Sequence, residues 1–179
     1  MPDIEWLSRL LLGTIFILSG TFKLARWRQF GDSLAALELL PRRFVRAVAA
    51  GLPPVEMAVG IAVLAGWRLP ITGPLLLAML FCFLAALALY RLRGGKELSC
   101  GCFADFEHKQ PTSSLILRNL LLLVSGLPLL RPAQQPAPER GWEEWLIGST
   151  VVCGSVMIWI LLGRLVQTIL LLRAENDET

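Results

Sequence analysis

Charge is what this sequence has least of. Aspartate, glutamate, lysine and arginine make up 17% of the 179 residues, where a soluble domain carries roughly 25%. That shortfall argues against a water-soluble globule. The hydrophobic residues, 55% of the chain, gather in runs close to the ~20 residues that cross a bilayer. A removable leader is also missing from the expectation, because the first apolar run is too long and lacks a small-residue cleavage site. Histidine occurs once, and the four cysteines are too few for a disulfide-rich secreted scaffold. The net charge of +3 sits at membrane-flanking positions, which fits a lipid bilayer and implies no nucleic acid.

What is present reads as a single membrane domain over residues 1–179. The expected fold is all-α, an integral membrane helical bundle. It has a four-span core, a fifth C-terminal span and an interfacial amphipathic helix after the first span. The first span is expected from Ile4 to Leu24, with Gly13, Ser19 and Gly20 allowing close helix approach. Lys23 closes it, either as an interfacial anchor or as a functional lysine.

In Arg26 to Leu40, Trp27, Phe30, Leu34 and Leu37 recur at helical steps, too briefly to span but suited to a membrane interface. Pro41 ends that segment. The second span, about Phe44 to Gly66, contains Leu52-Pro53-Pro54-Val55-Glu56. A carboxylate at that depth must be neutral, paired or facing a polar cavity. Lys23 and Arg118 are its candidate partners at a proline kink, and a structural clamp between helices is the alternative.

Trp67 to Pro70 makes a short turn into the third span, about Ile71 to Leu92. Cys82 lies near its middle among apolar residues, which suggests inert packing. The fourth span, about Ser113 to Leu130, opens on Thr112-Ser113-Ser114, a candidate cap, with Arg118 and Asn119 one turn in. Residues 131–144 form a proline- and glutamine-rich connector. An additional helix is expected over 145–173, with Cys153 as packing, before an acidic tail at 174–179.

Between the third and fourth spans, the polar loop from Arg91 to Pro111 carries Ser99-Cys100-Gly101-Cys102-Phe103. A disulfide needs Cα atoms roughly 4.4–6.8 Å apart, and residues i and i+2 reach that only through a bend that Gly101 permits. So small a ring is expected to be strained and oxidising. Cys100 and Cys102 are therefore the candidate catalytic pair for thiol–disulfide exchange, one attacking and one resolving. Lys23, Glu56, Arg118 and Asn119 are the candidate supporting polar groups. Three readings stand beside this one: unrelated loop thiols, a metal-binding or metal-delivery protein with a soft-metal site of Cys100, Cys102 and His108, or a non-catalytic assembly scaffold in which the thiols are incidental.

Five spans put the thiol loop on the same side as Lys23, Arg26, Arg28, Arg42, Arg43, Arg46, Arg91, Arg93, Lys96, Lys109 and Arg173. Arg9, Arg68, Arg131 and Arg140 lie on the other. The positive-inside rule then places Cys100 and Cys102 at the cytoplasmic face, where thiols are kept reduced.

Arg9-Leu10-Leu11-Leu12-Gly13 and Ser19-Gly20-Thr21-Phe22-Lys23-Leu24 resemble the opening of DoxX-like membrane proteins. Leu52-Pro53-Pro54-Val55-Glu56, Cys100-Gly101-Cys102-Phe103 and Leu117-Arg118-Asn119-Leu120 together resemble the methylamine-utilisation MauE branch. The match covers about residues 5–130, and Ala104 departs from the glycine common in that branch. The resemblance implies a redox-associated protein of a bacterial inner membrane that assists disulfide formation or maturation of exported proteins. It also implies a thioredoxin-like or other thiol-bearing partner. Oxidation of exported proteins would want outward-facing thiols, against the basic-residue count, and Cys82 and Cys153 are the only further thiols for relaying electrons. A quinone is one candidate electron acceptor, although no motif marks a site for it.

Overall fold

The computed structural model describes residues 2–39, 41–98 and 110–130, with Thr150, Gly154 and Met157 beyond them. Cys100, Cys102, His108, the 131–144 connector, Cys153 and most of the expected fifth span lie outside the described residues. Two compact units are distinguished, residues 1–136 and 137–179, and the first holds the helices that follow.

Its helices are α1 (Pro2–Ala25), α2 (Trp27–Ala36), α3 (Arg42–Ala65), α4 (Leu69–Leu92) and α5 (Thr112–Gly126), the last continued by a 3-10 turn over Leu127–Leu130. Four helical segments are long and apolar enough to cross a membrane: Ile4–Ala25, Arg43–Ala65, Leu69–Leu92 and Thr112–Leu130. The chain is therefore a multi-pass membrane protein built as a helical bundle. Its outer surface carries Ile61, Ile71, Phe81 and Leu117, all exposed, as a lipid-facing surface should.

Helices α1 and α3 cross most closely, and small residues make the crossing. A Cβ added at Gly60 would lie 2.9 Å from the carbonyl of Gly13, and one at Gly20 would lie 2.8 Å from the carbonyl of Pro53. In a bilayer, where association depends on packing, such gaps let backbones meet. They also give the register: the helices are antiparallel, residue 13 level with 60 and residue 20 level with 53. Pro53 and Pro54 lie inside α3 and leave the carbonyls of Ala49 and Ala50 without their usual donors.

At the other end of this crossing Arg9, 8% exposed, donates from Nε to the Val63 carbonyl at 3.3 Å and from Nη2 to that of Leu64 at 3.4 Å. A cation there satisfies terminal carbonyls and suits the negative end of the helix dipole. Gly66 then takes a left-handed conformation, φ 72°, and the chain turns through Trp67 into α4.

Three local expectations change. The segment after α1 ends as a helix before Pro41, because Glu38 takes φ 52°. Phe30 and Leu37 are buried in the bundle while Trp27 stays exposed, so the apolar stripe is spent on protein contacts. Thr112 does not cap α5; its hydroxyl donates to the Gly95 carbonyl at 3.2 Å. Cys82 is exposed on the outside of the bundle, not packed within it. Helix α4 is apolar all round, so its sequence did not disclose an inner face. That face is Leu69, Thr72, Gly73, Leu76, Leu77, Leu80 and Leu87.

Candidate functional site

The α1–α3 register explains the most costly feature of the bundle. Lys23 is level with about residue 50, well short of Glu56. Side chains of a helix tilt toward its N-terminus, so on antiparallel neighbours Lys23 and Glu56 lean toward one another. Their Nζ and Oε1 atoms meet at 2.6 Å with both side chains 2% exposed. Lys23 is therefore no interfacial anchor: its stem runs inward along the bundle rather than out to headgroups. The hydroxyl of Ser19, one turn before Lys23, approaches the other carboxylate oxygen at 3.5 Å.

Two aromatic rings also lie beside the ammonium. It sits 4.2 Å from the ring centroid of Phe83 on α4 and 5.2 Å from that of Phe30 on α2. Four helices thus converge on one cation. Ring faces attract such a charge more strongly where water is excluded, and the carboxylate supplies the opposite charge that a buried ammonium requires.

This cluster borders a small, partly open cavity of about 60 Å³. Arg118 and the buried Asn119 line it from α5, and Leu80, Phe83 and Leu87 from α4. Asn119 also donates to the Leu115 carbonyl at 2.9 Å. Helix α2 contributes Phe30, Ser33, Leu34 and Leu37. Lys23, Glu56, Arg118 and Asn119, distant in sequence, are therefore brought to one cavity. Ser19 was expected only to pack, although its spacing of four from Lys23 puts both on one face. No sequence signal pointed to Phe83.

The chain reaches this cavity at Leu98, just before the segment that carries Cys100 and Cys102 in sequence. Leu98, buried, is part of the cavity wall. Glu97 and Leu98 pair antiparallel with Pro111 and Gln110, and the Thr112 amide donates to the Lys96 carbonyl at 2.9 Å. Both ends of the 99–109 segment are thereby tied together. The glycines before it do more than loosen the chain: Gly94 takes φ 90°, and the amide of Gly95 donates to the Tyr90 carbonyl at 3.0 Å. Among the described residues no group of three or more His, Cys, Asp or Glu is placed to hold a metal ion.

Comparison with known proteins gives a concordant result. Residues 1–131 match the model of the family described as methylamine utilisation protein MauE. The Methylamine utilization protein MauE of Paracoccus denitrificans is 35% identical over 142 residues, covering 74% of each chain. The protein of the same name from Paracoccus versutus is 33% identical over 153 residues, 84% of this chain and 82% of that one. No solved structure matches.

Proposed function

This chain belongs to the MauE family, and we propose that it is an accessory membrane protein of methylamine utilisation that performs thiol–disulfide exchange through Cys100 and Cys102. The supporting observation is the strand pairing of Leu98 with Gln110, which ties both ends of the thiol segment together, with Leu98 in the wall of the cavity that the buried ion pair borders. Cys100 follows Leu98 by two residues in sequence.

In the oxidising direction, a thiolate of the partner attacks one sulfur of the Cys100–Cys102 disulfide. A mixed disulfide forms and the other loop sulfur leaves as thiolate. The partner's second thiolate then attacks the mixed disulfide and releases the second loop sulfur. The partner gains a disulfide, the loop becomes a dithiol, and two electrons have moved. A thioredoxin-like protein has the chemistry to be that partner.

The distribution of charge supports a side for the loop. The end of the bundle bearing the loop carries Arg26, Arg28, Arg43, Arg46, Arg91, Arg93 and Lys96, and the opposite end Arg9 and Arg68. In a bacterial inner membrane that asymmetry favours a cytoplasmic loop.

Cys100→Ala and Cys102→Ala variants test the exchange. One of them should trap a partner as a mixed disulfide that a reductant releases. Failure of both to trap any thiol protein, with the chain present in the membrane at normal level, overturns the reading. Replacing His108 should leave trapping intact, whereas a metal site of Cys100, Cys102 and His108 would lose its metal.

A further inference from the structure

We infer that the cavity bordered by Lys23 and Glu56 binds a quinone. Two features of the wall select the class of ligand. The first is charge: Lys23 and Glu56 neutralise one another, so the pair draws neither an anion nor a cation and suits an uncharged molecule. The second is polarity. The wall is largely leucine and phenylalanine, with the Asn119 amide among the polar exceptions. A small-molecule site is usually of this kind, apolar with a few donors or acceptors that set orientation. The ligand is thus a lipid-soluble ring carrying hydrogen-bond acceptors. The rings of Phe30 and Phe83 offer it flat apolar surface beside the ammonium.

From Leu80 to Leu87 the α4 wall runs seven residues, about 10 Å at 1.5 Å per residue. The cavity reaches from the ion pair to Leu98 at the base of the thiol segment. Binding stands on the cavity alone, whereas a role for the quinone as oxidant rests on the exchange proposed above. In that role two S–H bonds break, the Cys100–Cys102 bond forms, and two electrons and two protons pass to the two carbonyl oxygens. The products are one disulfide and one quinol.

The experiment uses the full chain in lipid nanodiscs and a photoactivatable azido-ubiquinone with a short tail, competed by decyl-ubiquinone. Competable label is expected on peptides of α4 or α5. It should fall by roughly ten-fold or more in Ala86→Phe and in Leu34→Trp, which fill the cavity from two different helices. It should persist in the Cys100→Ser/Cys102→Ser double variant. Label that is not competed, or that survives both cavity-filling variants with normal thermal unfolding, overturns the site; if one variant does not fold, the other decides. Chain reduced beforehand should also convert the quinone to quinol, and the double-serine variant should not. Label without quinol formation by the native chain overturns the oxidant role and leaves the site standing.

Discussion

Glu56 is bonded to Lys23 from fully inside the bundle, on the neighbouring antiparallel helix, with the aromatic rings of Phe30 and Phe83 around the ammonium. Two charges out of water are tolerable together and costly apart. Glu56→Gln or Lys23→Met alone should destabilise the bundle by roughly 3–5 kcal/mol. The charge-free double variant Lys23→Met/Glu56→Leu should recover much of that loss. Thermal unfolding in detergent measures it; single variants as stable as the native chain would contradict the pairing.

The crossing of α1 and α3 makes a second prediction, because two glycines of one helix differ in their surroundings. A Cβ at Gly60 meets the backbone of Gly13, which cannot move aside, while one at Gly51 meets nothing within 4 Å. Gly60→Ala should lower the unfolding temperature. Gly51→Ala should leave it unchanged or raise it, since alanine is favoured over glycine in a helix by roughly 0.5–1 kcal/mol. Equal effects at both positions would refute the close crossing.

A third concerns the neck of the thiol segment. Thr112→Val removes the hydrogen bond to the Gly95 carbonyl, worth about 0.5–1.5 kcal/mol. Gly94→Ala places a side chain at φ 90°, costing about 1–2 kcal/mol. Both changes should speed hydrogen exchange at residues 96–98 and 110–112 while leaving the α1–α3 crossing protected. Unchanged exchange at the neck would show that the tie does not hold it.

Phe83 gives a fourth. Phe83→Leu keeps apolar bulk but removes the ring over Lys23 at 4.2 Å, and should cost about 0.5–2 kcal/mol. In the Lys23→Met background the same change should cost less, and a double-mutant cycle reads that difference. A cycle with no coupling would remove the cation–ring contact from the account.

The main lines of the bundle were legible because bilayer crossing demands long apolar runs, and those of this chain stop at polar turns. Glu56 announced a partner because a carboxylate within such a run is expensive alone. Naming Lys23 as that partner needed the register of α1 on α3, which two glycine contacts set and no local pattern reveals. Cys82 was misjudged for a related reason: an evenly apolar helix hides which side faces lipid. Helix α2 was legible as amphipathic, but whether its stripe meets lipid or protein depends on what lies beside it. Thr112 had a cap's chemistry and a better acceptor in Gly95, brought near only by the pairing of strands twelve residues apart.

The most direct measurement is the redox state of Cys100 and Cys102 in growing cells. A Cys82→Ala/Cys153→Ala background leaves those two thiols alone, and acid quenching followed by a mass-adding alkylator counts the reduced ones. The account predicts two populations, one with both thiols blocked in a disulfide, shifting toward the dithiol form when oxidant is withheld. A pair that stays fully reduced under every condition, with the chain correctly inserted, contradicts it.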